Sequence, residues 1–309
     1  MKGSKRKIVA QINGGLGNQL FQYFASLFFA NTTGSDLILR NSNYLAHLNS
    51  FIGDFKFYDG LLFKQKKTSN FITKIHEYFR FHFSVYKIFS NFISPHYEET
   101  QKTFEYEKRN FKSEFLKKHI LKTFEIKGYF QDFNFYLNLP KNERILALKH
   151  PSKWYQDIEI RIRSKRSIMV HIRRQDFINF ADRYGLLSAE YYGNAVRYML
   201  DKYPDAIFWI FSDDMQKAKD ILPTHLEGRF NFVIPPHNSS AAESLLLMAS
   251  CDGHIVANST YSIWAAFISQ GNLDVLVPEP LFKGQIPLIR GLPASWIKFP
   301  SLWENLDDL

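Results

Sequence analysis

Apolar positions fall into two regimes along this chain. In the second half, short apolar, β-prone runs at 168–172, 206–211, 230–234, 254–257 and 273–277 alternate with stretches of helical periodicity at 188–203, 241–250 and 263–269. Runs of that length bounded by polar clusters read as buried strands, and strands alternating with helices predict a parallel, doubly wound sheet. Ser188 stands as a cap before the first of these helices, with Glu190 in its first turn.

The first half is less regular. Residues 8–12 form an apolar strand that runs through Asn13-Gly14-Gly15-Leu16-Gly17-Asn18-Gln19 into an apolar helical segment at 20–30, and 37–39 reads as a second strand. Phe71, Ile75, Tyr78, Phe79, His82, Tyr86, Phe89 and Ile93 then recur at helical spacing, with Lys74, Arg80 and Lys87 between them. The plain reading is an amphipathic helix, or helix pair, buried in the first domain. The sharper one is a basic aromatic face resting on a membrane surface. Residues 102–127 are lysine-rich and read as solvated surface, and 124–132 (FEIKGYFQD) read as a strand entering a loop with Asp132 exposed. The charged stretch 138–163, with Pro140 and Pro151, carries the expected junction between two domains, 1–160 and 161–309. Residues 304–309 form an acidic tail that reads as a solubilising end.

Composition narrows the class. A chain of 309 residues, 45% hydrophobic and 22% charged, has the make-up of a globular protein of two domains. A net charge of +9 invites an anionic partner such as nucleic acid, a sugar nucleotide or a membrane surface. The single cysteine, Cys251, lies in an apolar stretch, which excludes a disulfide framework within the chain and reads as an inert buried thiol. The basic opening MKGSKRK precedes too short an apolar run for a signal peptide, and no run reaches the roughly 18 apolar residues of a spanning helix. The expected location is cytoplasmic, with peripheral contact to the inner face of the membrane as an extension of that reading.

Chemistry-bearing residues gather at strand carboxyl ends, where open α/β sheets bind ligands. His171, Arg173, Arg174 and Asp176 follow the 168–172 run, Ser212-Asp213-Asp214 follow the next, and Asn258-Ser259-Thr260-Tyr261-Ser262 follow the fourth. Adjacent arginines on an extended chain point in opposite directions, so one is expected to face a ligand and the other to hold the loop. A guanidinium fork suits phosphate. The bland alternatives are a solvated charged loop, a core histidine at 171, and a helix cap with a ribose or loop contact at Asp213-Asp214. The glycine loop has neither the third glycine of a dinucleotide fingerprint nor the Gly-Lys-Ser/Thr of a phosphate loop, and a structural tight turn is its plain alternative. No third ligand accompanies the acidic pair for a metal, and spacing alone assembles no Ser/His/Asp set.

Five motifs in order, GGLGNQLFQYFAS, GYFQD, HIRRQDF, FSDD and ANSTYSIWAAF, resemble those of the α-1,2-fucosyltransferases of glycosyltransferase family 11, in particular bacterial members without a membrane anchor. The resemblance implies a GT-B-like architecture of two facing Rossmann-type domains with the donor in the cleft. It implies a GDP-β-L-fucose donor, inversion at the anomeric carbon, and no cofactor or metal. The family's His-x-Arg-Arg-x-Asp motif falls on His171, Arg173, Arg174 and Asp176. Arg173 is then the residue expected to neutralise the β-phosphate as GDP leaves, with His171 orienting an arginine or the ligand, and Arg174 and Asp176 fixing the loop on the donor side.

By the same analogy Gly15, Gly17, Asp213 and the stretch from Asn258 through Ser259, Thr260 and Tyr261 to Ser262 meet the donor. Glu243 lies near the nucleoside, Asn18 contacts phosphate or acceptor, and Asp132 is a candidate on the acceptor side. The chain departs from the family at Gln175, where glycine is usual, and at Ile263, where bacterial members carry tryptophan. If the glycine is left-handed, Gln175 costs about 1 kcal/mol. The expected acceptor is a terminal galactose on a surface polysaccharide or O-antigen precursor, including a lipid-linked one. The rival readings are an α-1,6 or O-fucosyl linkage, a basic nucleic-acid-binding module, and a dehydrogenase.

Overall fold

The computed structural model describes residues 6–41, 51–56, 96–98, 123–284 and 289–305. The aromatic segment 71–93 and most of the lysine-rich stretch lie outside them. The chain divides into two compact units, one from Met1–Ile52 and Lys56–Ala147, the other from Gly53–Phe55 and Leu148–Leu309. The division thus falls ahead of position 160.

The first unit is built on parallel strands β1 (Lys7–Ile12), β2 (Asp36–Asn41), β3 (His96–Glu98) and β4 (Thr123–Lys127), in the order β2-β1-β4-β3. Helix α1 (Leu16–Thr33) follows β1 and buries Leu20, Phe21, Phe24 and Leu27. It begins four residues before the apolar periodicity does, because Gly15 takes the extended N-cap geometry and Gly17 fits a buried first turn. Gly34, at φ 61°, ends it by returning its N–H to the last carbonyls. The short helix α2 (Phe133–Leu137) packs on α1, with Phe133 edge-on to Phe21 and Tyr136 edge-on to Phe24, both at 4.7 Å between ring centroids.

The second unit opens with α3 (Lys153–Arg163) and carries parallel strands β5 (Ser167–Ile172), β6 (Ile207–Ser212), β7 (Phe230–Phe232), β8 (Gly253–Ile255), β9 (Val275–Glu279) and β10 (Ile297–Pro300). Their order is β10-β9-β8-β5-β6-β7. The alternation of strand and helix holds, with α4 (Gln175–Ile178), α5 (Ala181–Tyr184), α6 (Ala189–Lys202), α7 (Met215–Ile221), α8 (Ala241–Ala249) and α9 (Thr260–Ile268) between the strands. Every residue of β5 is buried, and Ile168, Val170 and Ile172 join Tyr191, Tyr192, Val196 and Met199 of α6 in one core. The order reverses at β5: β6 and β7 build outward on one side, β8 to β10 on the other. That reversal makes a crevice between the loops after β5 and β8. Among the described residues no helix is long and apolar enough to cross a membrane.

Candidate active site

Parallel register decides which loops meet. Ile172 of β5 pairs with Ser212 of β6, so the arginine loop and the Asp213-Asp214 loop leave the sheet side by side. Val170 pairs with Ile255 of β8, which brings the 256–259 loop to the other flank. The two adjacent arginines diverge, one outward and one inward. Arg173 remains 29% exposed, with Nη1 3.2 Å from Asp213 Oδ2, and its guanidinium lies over the Phe177 ring at 5.6 Å. Arg174 turns inward to 1% exposure, where Nη2 donates to Glu304 Oε2 at 2.6 Å. Its backbone N–H donates to Asp213 Oδ1 at 2.8 Å, so one carboxylate serves both arginines. Asp214 caps α7, accepting from the Lys217 N–H at 3.0 Å.

Gln175 opens α4, and Phe130 is the one non-glycine residue with positive φ among the described residues. The left-handed cost expected at Gln175 therefore does not arise. Asp176 lies in the same short helix.

His171 is buried at the mouth of the crevice, its ring edge-on to Tyr261 at 5.8 Å across the reversal point. Burial, with the Arg173 charge second, lowers its pKa from 6.5 to about 3. A histidine held neutral in this way is a weak base near pH 7, suited to orienting neighbours rather than moving protons. His254, on β8, is lowered to about 4, again chiefly by burial. A pKa depressed on folding contributes stability that is present above the unfolded value near 6.5 and is lost as pH falls toward the folded value. We expect unfolding free energy to drop between pH 6.5 and 4, each histidine adding up to about 1.4 kcal/mol per pH unit to the slope. His171→Asn should make that slope shallower by one proton's worth in urea titrations. An unchanged slope would show that His171 is not a neutral buried group.

The other flank is tied down by its own side chains. Ser259 caps α9, accepting from the Tyr261 N–H. The helix starts at Thr260 rather than 263, which places Thr260, Tyr261 and Ser262 in its first turn at the crevice. Asn258 Nδ2 donates to the carbonyls of Tyr184 and Gly185 at 2.9 and 3.0 Å, so it fastens the 181–185 segment. Tyr261 donates its hydroxyl to the Ala241 carbonyl at 2.6 Å, and Ser262 is fully buried with its hydroxyl on Ser259 and Ala257 carbonyls. Ile263 is also fully buried, so the departure there is one of packing. Glu243 is buried and accepts from the Ser152 N–H at 2.6 Å, holding the start of α3.

In the first unit, the loops after β1 and β4 leave neighbouring strands together. Gly14 sits at φ 77°, and Gln19 Nε2 donates to its carbonyl at 2.8 Å. Asn18 Oδ1 accepts from Gln131 Nε2 at 3.0 Å, and the half-exposed Tyr129 ring lies beside Gly14. Asp132, expected to be exposed, is buried because it caps α2: Oδ1 accepts from the Asn134 N–H at 2.8 Å and from its amide at 2.7 Å. Cap geometry, not openness, explains this aspartate. Gly15 is the N-cap of α1, and Gly17 is buried within it. Among the described residues no group of three or more His, Cys, Asp or Glu side chains is placed to hold a metal ion.

The profile of glycosyl transferase family 11 matches residues 1–283. An α-1,2-colitosyltransferase of Escherichia coli is 26% identical over 307 residues, covering 94% of this chain and 98% of its own. The O-antigen biosynthesis glycosyltransferase WbnK of Escherichia coli is 27% identical over 294 residues, covering 88% and 94%. Among solved structures, the NodZ α-1,6-fucosyltransferase co-crystallised with GDP, from Bradyrhizobium, matches at a TM-score of 0.53 and 14% identity, covering 86% of this chain and 93% of that one. That likeness concerns the fold, which is GT-B-like: two Rossmann-type α/β units.

Proposed function

The chain belongs to glycosyl transferase family 11, and from that premise we propose that it transfers L-fucose from GDP-β-L-fucose to the 2-hydroxyl of a terminal galactose, with inversion and without a metal. The observation that carries the reading is Arg173, charged and partly exposed at the reversal point of the second sheet, with the α9 N-terminus on the opposite flank. A guanidinium and a helix N-terminus together suit a diphosphate. Charge develops on the β-phosphate as the glycosidic bond breaks, and fixed positive charge there is commonly the largest catalytic contribution an enzyme makes.

Arg174, paired inside, and Asp213, held by both arginines, shape this loop. Thr260 and the first N–H groups of α9 face the diphosphate. His171 and Tyr261 form the floor, and Glu243 and Asn258 brace the walls from behind. Asn18 and Gln131, beside the Tyr129 ring, offer amides and an aromatic face to the acceptor sugar. Asp132 keeps its cap role. The acceptor is an O-antigen or related polysaccharide precursor, met at the inner face of the cytoplasmic membrane when lipid-linked.

The colitosyltransferase relative favours a second reading, in which the sugar moved is colitose, the 3-deoxy form of fucose. One assay separates the two: each GDP-linked sugar is offered with a panel of terminal galactosides in EDTA, and product linkage is read by NMR. We expect α-1,2 product from GDP-fucose. Product only from the 3-deoxy donor would move the assignment to colitose, and turnover of neither donor, with no GDP released, would overturn the proposal.

A further inference from the structure

Residues 301–304 run antiparallel to 185–188. Leu187 and Trp303 form an antiparallel bridge, the Ser188 N–H donates to the Leu302 carbonyl at 2.8 Å, and the Glu304 N–H donates to the Leu186 carbonyl at 2.8 Å. This pairing delivers the Glu304 carboxylate to Arg174, 130 residues away in sequence. Among the described residues Arg174 Nε and Nη1 have no hydrogen-bond partner, so the contact to Glu304 is what balances this guanidinium. Arginine cannot shed its proton to escape burial. From Arg174 the restraint passes along the chain. Its backbone N–H is on Asp213 Oδ1, and Asp213 Oδ2 takes Arg173. Glu304 is thus no mere solubilising residue, as its place in an acidic tail suggested.

We propose that Glu304 is a positioning residue for Arg173, setting the arginine loop from behind through Arg174. The inference rests on the proposed role of Arg173 and adds to it a part of the chain that touches no substrate. Misplacing a catalytic group by about 1 Å can cost on the order of a hundredfold in rate, so the signature is a fall in kcat with donor KM nearly unchanged.

Two variants separate positioning from simple stability. Glu304→Asp keeps the charge but draws the carboxylate back by one methylene. The pair Arg174→Met with Glu304→Leu removes both buried charges, an exchange that proteins often tolerate well. Steady-state kinetics with whichever GDP-sugar the donor assay selects, alongside melting temperatures, should show both variants folded, with kcat down at least about tenfold and donor KM changed less than about twofold. Wild-type kcat in Glu304→Asp overturns the inference, whether or not the double variant folds. Arg173→Ala run in parallel keeps the failures apart. If it retains full activity, the role of Arg173 itself is lost. If it is inactive while the Glu304 variants turn over normally, only the positioning role falls.

Discussion

Arg173→Ala should lower glycosyl transfer by at least about a hundredfold, with the loss in kcat rather than in stability. The side chain is 29% exposed, ion-paired to Asp213 and stacked over Phe177, so its removal opens no core cavity. What disappears is the fixed charge proposed to receive the developing β-phosphate charge. Arg173→Lys should recover only part of the rate, because an ammonium cannot reproduce the planar fork. Circular dichroism and melting temperature should match wild type in both variants. Near-normal turnover in Arg173→Ala would remove the residue from its role.

The largest effect on stability is expected at Gly185. It holds φ 77° and ψ 153°, a region that side-chain-bearing residues rarely adopt, and an added Cβ would overlap the Trp303 ring. Gly185→Ala therefore combines backbone strain with overpacking, about 2–6 kcal/mol in sum. The damage is local to a sensitive place, since the 185–188 pairing with 301–304 holds Glu304 on Arg174. Urea unfolding should show the lower midpoint, and kcat should fall even at temperatures where the variant remains folded. A wild-type midpoint would mean that Trp303 moves aside without cost.

Much of this arrangement was legible before the structure. The buried β5 run and the strands beside it follow from apolar patterning alone, because parallel sheets covered on both faces leave uninterrupted apolar stretches. The divergence of Arg173 and Arg174 was expected of neighbouring residues leaving a strand, and it persists although Arg174 has already left the extended conformation. A helix cap was already the plain alternative for the Asp213-Asp214 pair, and Asp214 takes it.

Other features were not, each for a physical reason. Strand β10 escaped notice because its residues alternate between half-buried and exposed at a sheet edge and end in Pro300. The early starts of α1 and α9 were hidden because small and polar residues fill their first turns, where apolar periodicity has no purchase. Gln175 looked strained against a family glycine, yet the local backbone is helical. Glu304 could not be matched to Arg174 because no local pattern links residues so far apart; only the pairing of 301–304 with 185–188 does so. The resemblance places Glu243 near the nucleoside and Asn258 on the donor, and no local pattern shows what else they hold. Their hydrogen bonds go to Ser152, Tyr184 and Gly185.

In the proposed function the crevice after β5 holds a GDP-sugar by its diphosphate through Arg173. Titrating GDP into the protein while following its phosphorus resonances by NMR tests this most directly. Saturable binding is expected, with the β-phosphorus displaced more than the α-phosphorus, and that displacement lost in Arg173→Ala. Binding with an unchanged β-phosphorus displacement in that variant, or no binding of GDP to the wild type, would contradict it.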